Sequence, residues 1–372
     1  MANREGVGYI RRPVHENAKA GNVNYALRHS RGDFFAILDA DFVAKKEFLY
    51  ESLPFFEDEE MAMVQTPQYY NNALNFVSTG AGYMQHVFYS MLMAGKNRFN
   101  AVFCVGTCVV FRREAIEGIG GMYEKSKSED IWTSLMLHEA GWKTVYINKV
   151  LAEGKTPETI KAYAKQQLRW ATGSFEIFLQ RNPLLNRKLT MDQRLQYFMT
   201  TSFYFNGFAI LTLLLLPPLQ IFFNLSPVSL NVPLWQYIIL YSGYYLTQLF
   251  LSFYVMGGLK LETVMISGVS FSIYIKAFFN ALLGRDQAWV ATNKKDNKYD
   301  SPFNYIQIQS YVCLFLLLTS LVGIWKVAYT SEFSISVIWS LIMTTIFSYF
   351  ILVAIREGYQ LRQEVRLVRK HK

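Results

Sequence analysis

Three short runs in this chain combine residue types that can do chemistry together. Asp39-Ala40-Asp41 puts two carboxylates one residue apart, directly after the apolar run Phe34-Phe35-Ala36-Ile37-Leu38. Paired carboxylates of that kind hold a hard divalent cation that takes its other ligands from substrate phosphates, so the run reads as a metal clamp on a nucleoside diphosphate. As a plain alternative it is a polar turn after a strand. Ser128-Glu129-Asp130 precedes an apolar helical pattern beginning at Ile131. Its carboxylates suit a general base that removes a proton from a hydroxyl attacking an anomeric carbon, or else Ser128 caps a helix whose first turn is acidic. In Gln166-Gln167-Leu168-Arg169-Trp170, the residues Gln166, Arg169 and Trp170 fall on one helical face at i, i+3 and i+4. A fixed guanidinium there matches phosphate oxygens, and an indole packs against a sugar ring. The plain reading is an amphipathic helix at a membrane surface. Trp289-Val290-Ala291-Thr292-Asn293-Lys294 taken alone reads as a basic juxtamembrane linker.

Something must position these side chains. Short apolar runs at residues 34–38, 61–64, 109–111 and 144–147 alternate with helical patterns such as 131–139, which Gly141 ends. That alternation predicts an α/β domain with a mostly parallel sheet, in which ligands bind beyond the carboxyl ends of strands. A helix over 156–181 follows, with Thr156 as cap, Pro157 at its first position and Asn182-Pro183 as its stop.

The second half is of another kind. Residues 195–259 contain no Asp, Glu, Lys, Arg or His, whereas globular domains carry about 25% charged residues. A simple cytosolic enzyme, a disordered chain and a disulfide scaffold are all excluded. Residues 198–223, 235–259, 306–325 and 333–355 are each long and apolar enough to span a bilayer. Residues 264–283 are ambiguous. Loops 224–234 and 330–333 lack Lys and Arg, while 284–300 and the tail 356–372 are basic. Positive charge stays on the cytoplasmic side, so four spans are expected, with 262–283 an interfacial amphipathic helix. The expected organisation is an α/β unit at 1–155, interfacial helices at 156–194, two spans at 195–259, the interfacial helix and linker at 260–305, two spans at 306–355, and a basic cytoplasmic tail. The net charge of +9 flanks apolar spans and no nucleic-acid module is present, so it reads as membrane proximity. Cys104, Cys108 and Cys313 read as reduced core thiols, and Met1 to Lys19 has no apolar stretch of the signal-peptide kind.

The order and spacing of the motifs resemble a processive family 2 glycosyltransferase of the bacterial cellulose synthase type. Asp-x-Asp, Ser-Glu-Asp about ninety residues later, Gln-x-x-Arg-Trp and then membrane spans follow one another as in that family. His15-Glu16-Asn17-Ala18-Lys19-Ala20-Gly21-Asn22 resembles its His-x-x-Ala-Lys-Ala-Gly-Asn segment, and Val64-Gln65-Thr66-Pro67-Gln68 its Val-Gln-Thr-Pro segment. Asn182-Pro183-Leu184-Leu185 also fits, and residues 289–294 resemble its gating loop with Trp289 and Ala291 substituted.

The resemblance implies a partial GT-A-like fold and a set of roles. Asp130 is the implied catalytic base. Lys19, Asp39, Asp41, Gln166, Arg169, Trp170, Thr292 and Lys294 would bind the nucleotide sugar, with Asp39 and Asp41 also holding Mg2+ or Mn2+. Phe103, Cys104, Gly106, Thr107, Glu129 and Trp170 would meet the acceptor. The implied reaction is inverting transfer from a UDP-sugar to a growing β-linked polysaccharide, which leaves through a channel built by the spans, with export accessory subunits as further partners. The implied location is the inner (plasma) membrane. Cellulose from UDP-glucose is the first expectation. Poly-N-acetylglucosamine, hyaluronan or a mannan are alternatives within the class, and a truncated inactive membrane scaffold is the non-enzymatic one. Ser128 stands for the family's usual Thr, and Phe-Cys-Val-Gly-Thr for its Phe-Phe-Cys-Gly. The family's first strand, a further uridine-gripping Asp and earlier spans have no counterpart here, so a fragment of a longer protein is expected. The tail is too short for a cyclic-di-GMP-binding domain.

Overall fold

The computed structural model describes residues 5–14, 16–126, 128–225, 234–258, 260–285, 299–331 and 334–370. The first half builds two small sheets with helices around them. Helix α1 (Ala18–Arg28) leads into β1 (Phe34–Ile37), β2 (Val43–Ala44) and α2 (Phe48–Ser52). Strands β3 (Met61–Gln65) and β4 (Tyr69–Tyr70) precede a long helical run, α3 (Phe76–Val87) and α4 (Ala94–Lys96), joined by a π-helical stretch at Phe88–Met93. Then come β5 (Val109–Arg112), α5 (Arg113–Gly118), α6 (Glu129–Glu139), β6 (Lys143–Tyr146) and β7 (Ala152–Gly154).

The larger sheet has the order β1-β5-β3-β6 and the smaller one β2-β7-β4. In the larger sheet β1, β3 and β6 run the same way, as a mostly parallel sheet requires. The reversed strand β5 lies between β1 and β3, so the ladders to either side of it are antiparallel and only β3–β6 pairs in parallel. The run at 34–38 is therefore not a buried parallel strand. β1 is half-exposed and pairs antiparallel, with Phe35 opposite Phe111 and Ile37 opposite Val109. β3 is buried along its whole length, because both faces are covered and a continuous Met-Ala-Met-Val run is what such a strand needs. In β5 the side chains alternate as a pleat demands. Val109 and Phe111 join the core shared with α1 and α6, and Val110 joins the one under Phe48, Phe56 and Leu151.

Helix α7 (Ile160–Gln180) starts later than the sequence pattern suggests. Its N-cap is Thr159, whose hydroxyl accepts the Ala162 N–H at 3.2 Å. Thr156 is held back by Asn72, which takes its N–H at 2.8 Å and donates to its carbonyl at 3.0 Å. Pro157 also disfavours a helical conformation at the residue before it. The helix ends at Arg181, just before Asn182-Pro183.

Among the described residues four helices are long and apolar enough to cross a membrane: Met191–Phe223, Ile238–Val255, Gln307–Thr330 and Ile335–Leu367. They correspond to α8 (Met191–Ser202) continued by α9 (Asn206–Phe223), α10 (Leu234–Met256), α13 (Gln307–Thr330) and α14 (Ile335–Lys370). Between them α11 (Leu261–Val269) and α12 (Phe271–Leu282) meet at a bend of 40° near Ser270, and as one broken span would make a fifth. α11 lies against α3, and α12 lies along α7 through Phe175, Tyr274 and Ala277. Tyr163 on α7 hydrogen-bonds Ser270 at the bend, at 2.9 Å. α13 and α14 are tied by small polar contacts, Ser320 to Ser340 at 2.8 Å and to Thr344 at 3.1 Å, the kind of interface that lets membrane helices approach closely.

Helices α6 and α7 cross where Gly173 faces Ser128. A Cβ added at Gly173 would overlap both Oγ and Cβ of Ser128. Ser128 stands at the N-cap position of α6 but makes no capping bond with its side chain. Gly173→Ala should destabilise the protein by about 1–3 kcal/mol through overpacking, although Ala is the better helix former by about 1 kcal/mol. Adding Ser128→Gly should recover most of the loss. Thermal melts of the two variants check this, and an unchanged melting temperature in Gly173→Ala would count against the close crossing.

Candidate active site

The cleft forms at the carboxyl end of β1, where four chain segments meet. The ammonium of Lys19, in the first turn of α1, lies 2.5 Å from Asp39 Oδ1 and 2.5 Å from the carbonyl oxygen of Gly106. The Asp39 N–H donates to Thr107 Oγ1 at 2.8 Å. Gly106 has φ +90°, a conformation that L side chains avoid, and a Cβ there would lie 3.3 Å from Asp130 Oδ2 and 3.9 Å from Lys19 Nζ. Lys19, Asp39, Gly106, Thr107 and Asp130 therefore surround one small space.

The segment 103–108 enters this space in an irregular conformation that Gln65 holds. The Gln65 amide donates to the carbonyls of Thr66, Thr107 and Cys108 at 2.8, 2.8 and 3.1 Å, and its oxygen accepts the Val105 N–H at 3.0 Å. Gln68 donates to the Val105 carbonyl at 2.8 Å. The Cys104 N–H donates to Ser134 Oγ at 2.7 Å, and the Ser134 hydroxyl donates to the Asp130 carbonyl at 2.9 Å. The 103–108 segment and the first turn of α6 are thus one unit. Burial keeps the Cys104 thiol protonated, well above the usual range, and Phe103 and Cys104 are buried behind the cleft wall.

Asp130 and Glu129 open α6. Desolvation pushes the Asp130 carboxyl above the ordinary aspartate range, opposed by the Ile131 N–H, which bonds Oδ1 at 2.9 Å, and by the charges of Lys19 and Arg169. Desolvation and then the neighbouring Asp130 charge push Glu129 up to about 7, with Lys19 and Arg169 again opposing. Two adjacent carboxyls in one desolvated place do not both ionise readily, which is how a base comes to be poised near neutrality. Arg169 thus faces the same space from α7, and Gln166, Arg169 and Trp170 are all half-buried on that helix. The register of α7 against α6 is fixed by Gly173 at the crossing and by Ser126, which donates to Glu176 at 2.7 Å.

The structure does not unite every residue that the sequence singles out. Asp41 follows Asp39 in the turn beyond β1, and Gln166 and Trp170 make no hydrogen bond to the other site residues. Thr292 and Lys294, with the rest of 289–294, lie outside the described residues, as does His15. Asp39 and Asp41 offer hard oxygen donors in an accessible turn. That set fits a divalent cation whose remaining ligands are diphosphate oxygens and water. Among the described residues no group of three or more His, Cys, Asp or Glu side chains forms a complete metal cage. Ser134 and Gly173 contribute from outside the sequence motifs. Gln65 stands in the Val-Gln-Thr-Pro segment, but its hold on the 103–108 segment is visible only in the structure.

Known families match this chain along most of its length. A family described as Glycosyltransferase like family 2 matches residues 2–173, and one described as Cellulose synthase matches residues 117–360, about two-thirds of the chain. Cellulose synthase 1 of Komagataeibacter xylinus is 39% identical over 207 residues, which are 54% of this chain and 13% of that protein. The cellulose synthase catalytic subunit (UDP-forming) of Pseudomonas fluorescens (strain SBW25) is 34% identical over 230 residues, 60% of this chain and 31% of that one. The chain thus spans less than a third of the length of these curated relatives. Among solved structures, the mannosyltransferase PcManGT from Pyrobaculum calidifontis in complex with GDP-Man and Mn2+ superposes with a TM-score of 0.50 at 17% identity, covering 72% of this chain and 68% of that one. That likeness is one of fold, a GT-A-like α/β unit. The second family match runs from α5, through Asp130 and Arg169 and the apolar helices, into α14, and on that extent the chain belongs to the cellulose synthase family.

Proposed function

We propose that this chain carries the catalytic centre of a membrane glycosyltransferase that extends a β-linked polysaccharide from a UDP-sugar, with cellulose from UDP-glucose as the specific product. The observation that carries the reading is the convergence of Lys19, Asp39, Gly106 and Asp130 on one cleft at the end of β1, with Arg169 facing it from α7. The donor diphosphate lies toward Lys19, Asp39, Asp41 and Arg169, with Gln166 and Trp170 on the same helical face as Arg169. Asp39 and Asp41 would hold Mg2+ or Mn2+, which would supply positive charge against the leaving diphosphate. Lys19 and Arg169 add fixed positive charge to the same end of the cleft.

The acceptor sugar lies on the side of Phe103, Cys104, Gly106 and Thr107. Its attacking hydroxyl delivers its proton to the Asp130 carboxylate as the oxygen bonds to the donor's anomeric carbon and the UDP bond breaks. Attack opposite the leaving group inverts the anomeric centre. Glu129, beside Asp130 and itself pushed up by desolvation and the Asp130 charge, lies on the acceptor side. Thr292 and Lys294 would close over the nucleotide. The neutral loops at 224–234 and 330–333, against the basic stretches at 284–300 and 356–372, put the α/β unit and the tail on the cytoplasmic side of the inner membrane. The polymer leaves between the spans, to export accessory subunits beyond.

The deciding experiment incubates the protein in lipid nanodiscs with a panel of UDP- and GDP-sugars and analyses the linkage of any product. β-Linked glucan from UDP-glucose supports the reading. Product from another donor only would reassign the polymer, and UDP release without any polymer from every donor would remove the polymerase assignment.

Asp130→Asn should lower polymer synthesis by about 10²–10⁴-fold while UDP binding is retained, and normal synthesis by that variant would exclude Asp130 as the base. A base works ionised. Because the Asp130 carboxyl is raised, activity is present above the raised value and lost as pH falls through it. The acidic limb of kcat should therefore lie above the ordinary aspartate value of about 3.9, and Arg169→Gln should move it higher still. A limb at the ordinary value, or one that does not move, speaks against this environment. Asp41→Asn, or chelation of divalent metal, should weaken UDP binding at least about tenfold, or 1.4 kcal/mol. Titration calorimetry with and without Mg2+ measures it, and metal-independent binding of equal strength would rule out the clamp.

A further inference from the structure

Lys96 is a buried cation that the chemistry above does not use. It closes α4, directly after the π-helical stretch at Phe88–Met93, and is only 6% exposed. π-Helical turns are rare and frequently occur at functional sites. Here the turn ends against the core, with Met93 fully buried and Lys96 turned inward. Lysine is almost never buried to this degree unless it is paired, yet among the described residues no carboxylate pairs with it. Its ammonium donates to the Gln196 carbonyl at 3.0 Å and to the Gln196 side-chain oxygen at 3.2 Å, and stands 5.6 Å over the ring of Phe103. Desolvation lowers its pKa to about 8.

The two partners of Lys96 belong to the two ends of the proposed reaction. Phe103 begins the acceptor-side segment. Gln196 lies on α8, which runs into the first span. Other ties run the same way. Gln193 on α8 donates to the Asn100 carbonyl at 2.8 Å, and the rings of Tyr197 and Phe103 are 6.4 Å apart. His138 on α6 bonds Tyr197 OH at 2.8 Å and Thr144 Oγ1 at 2.9 Å, and Thr144 Oγ1 donates to the Val102 carbonyl at 2.8 Å. Burial, with a smaller push from the Lys96 charge, lowers His138 to about 3, so it stays neutral in this network. A methionine would fill the Lys96 site without the cost of a desolvated charge, so what the ammonium adds is direction: it holds one carbonyl, one amide oxygen and one ring face in a fixed arrangement.

We propose that Lys96 is a positioning residue that moors the acceptor-side segment, through Phe103, to the start of the first membrane span. The polymer end then sits at a fixed height relative to both Asp130 and the exit path. This rests on the functional reading above for its consequence, but the mooring itself can be tested without activity.

Three buried thiols report on three separate cores: Cys104 lies beside Phe103, Cys108 in the core under Phe48 and Phe56, and Cys313 between the spans. The native protein in nanodiscs is treated with N-ethylmaleimide and labelling at each thiol is followed by mass spectrometry. In Lys96→Met, Cys104 should label at least tenfold faster than in the native protein, with Cys108 and Cys313 unchanged, and Lys96→Arg should restore at least half of the protection. Native protection of Cys104 in Lys96→Met overturns the proposal. So does equal acceleration at all three thiols, which marks general loosening. With UDP-glucose, Lys96→Met should keep UDP release within about twofold of the native rate while sugar incorporated per UDP released falls at least fivefold. Unchanged coupling, or an equal fall in both, also overturns it. Absence of UDP release by the native protein would count against the functional reading, and the labelling result would still decide the mooring.

Discussion

The bridge from the Lys19 ammonium to the Asp39 carboxylate and the Gly106 carbonyl is the contact on which the cleft depends. It joins α1, the turn after β1 and the loop before β5. The pairing of Ile37 with Val109 and the Asp39 N–H bond to Thr107 already bring the last two together, and the ammonium ties α1 to both. β1 is a half-exposed edge strand of four residues, with little packing of its own to fix where Asp39 points. The carbonyl of Gly106 can turn toward Lys19 only because its backbone adopts a left-handed conformation. Once both are fixed to one cation, Asp130 opposite them faces a site of set width.

Around that bridge the fold divides its labour. The sheet supplies the floor, and Gln65 shapes the irregular segment above it by bonding four backbone groups at once. Helix α7 works as a beam. One face touches α6 at Gly173, another lies along α12, and its half-buried face carries Arg169. The apolar helices are attached to the chemistry through α12 on α7, through Glu357 of α14, which accepts the Ile160 N–H that opens α7, and through α8 on the segment before β5.

Much of this was legible in the sequence, and what was not has identifiable causes. Asp39 and Asp41 after an apolar run, two acidic residues opening a helix, and long uncharged stretches are local signals, and the structure places them where those signals point. The antiparallel pairing of β1 was hidden, because strand direction depends on which neighbour arrives, and β5 is about seventy residues away. The start of α7 was misread for a similar reason. Thr156 and Thr159 are both good caps locally, and Asn72, eighty-four residues earlier, decides between them. Lys96 carries no motif, and the Val-Gln-Thr-Pro segment that holds Gln65 does not show which groups Gln65 binds. Their partners are mostly backbone carbonyls, which leave no trace in side-chain spacing. The bend at Ser270 was likewise invisible to a charge-based topology, which could place the segment at the membrane surface but not divide it.

The π-helical stretch at Phe88–Met93 has a consequence for how this region can change over time. A π-turn accommodates one residue more than an α-turn, so it takes up locally an added residue that would otherwise rotate everything beyond it by about 100°. An insertion or deletion elsewhere in α3 or α4, with no such turn to absorb it, would swing Lys96 from the core toward solvent. Length changes are therefore tolerated at the π-turn better than along the rest of this helix.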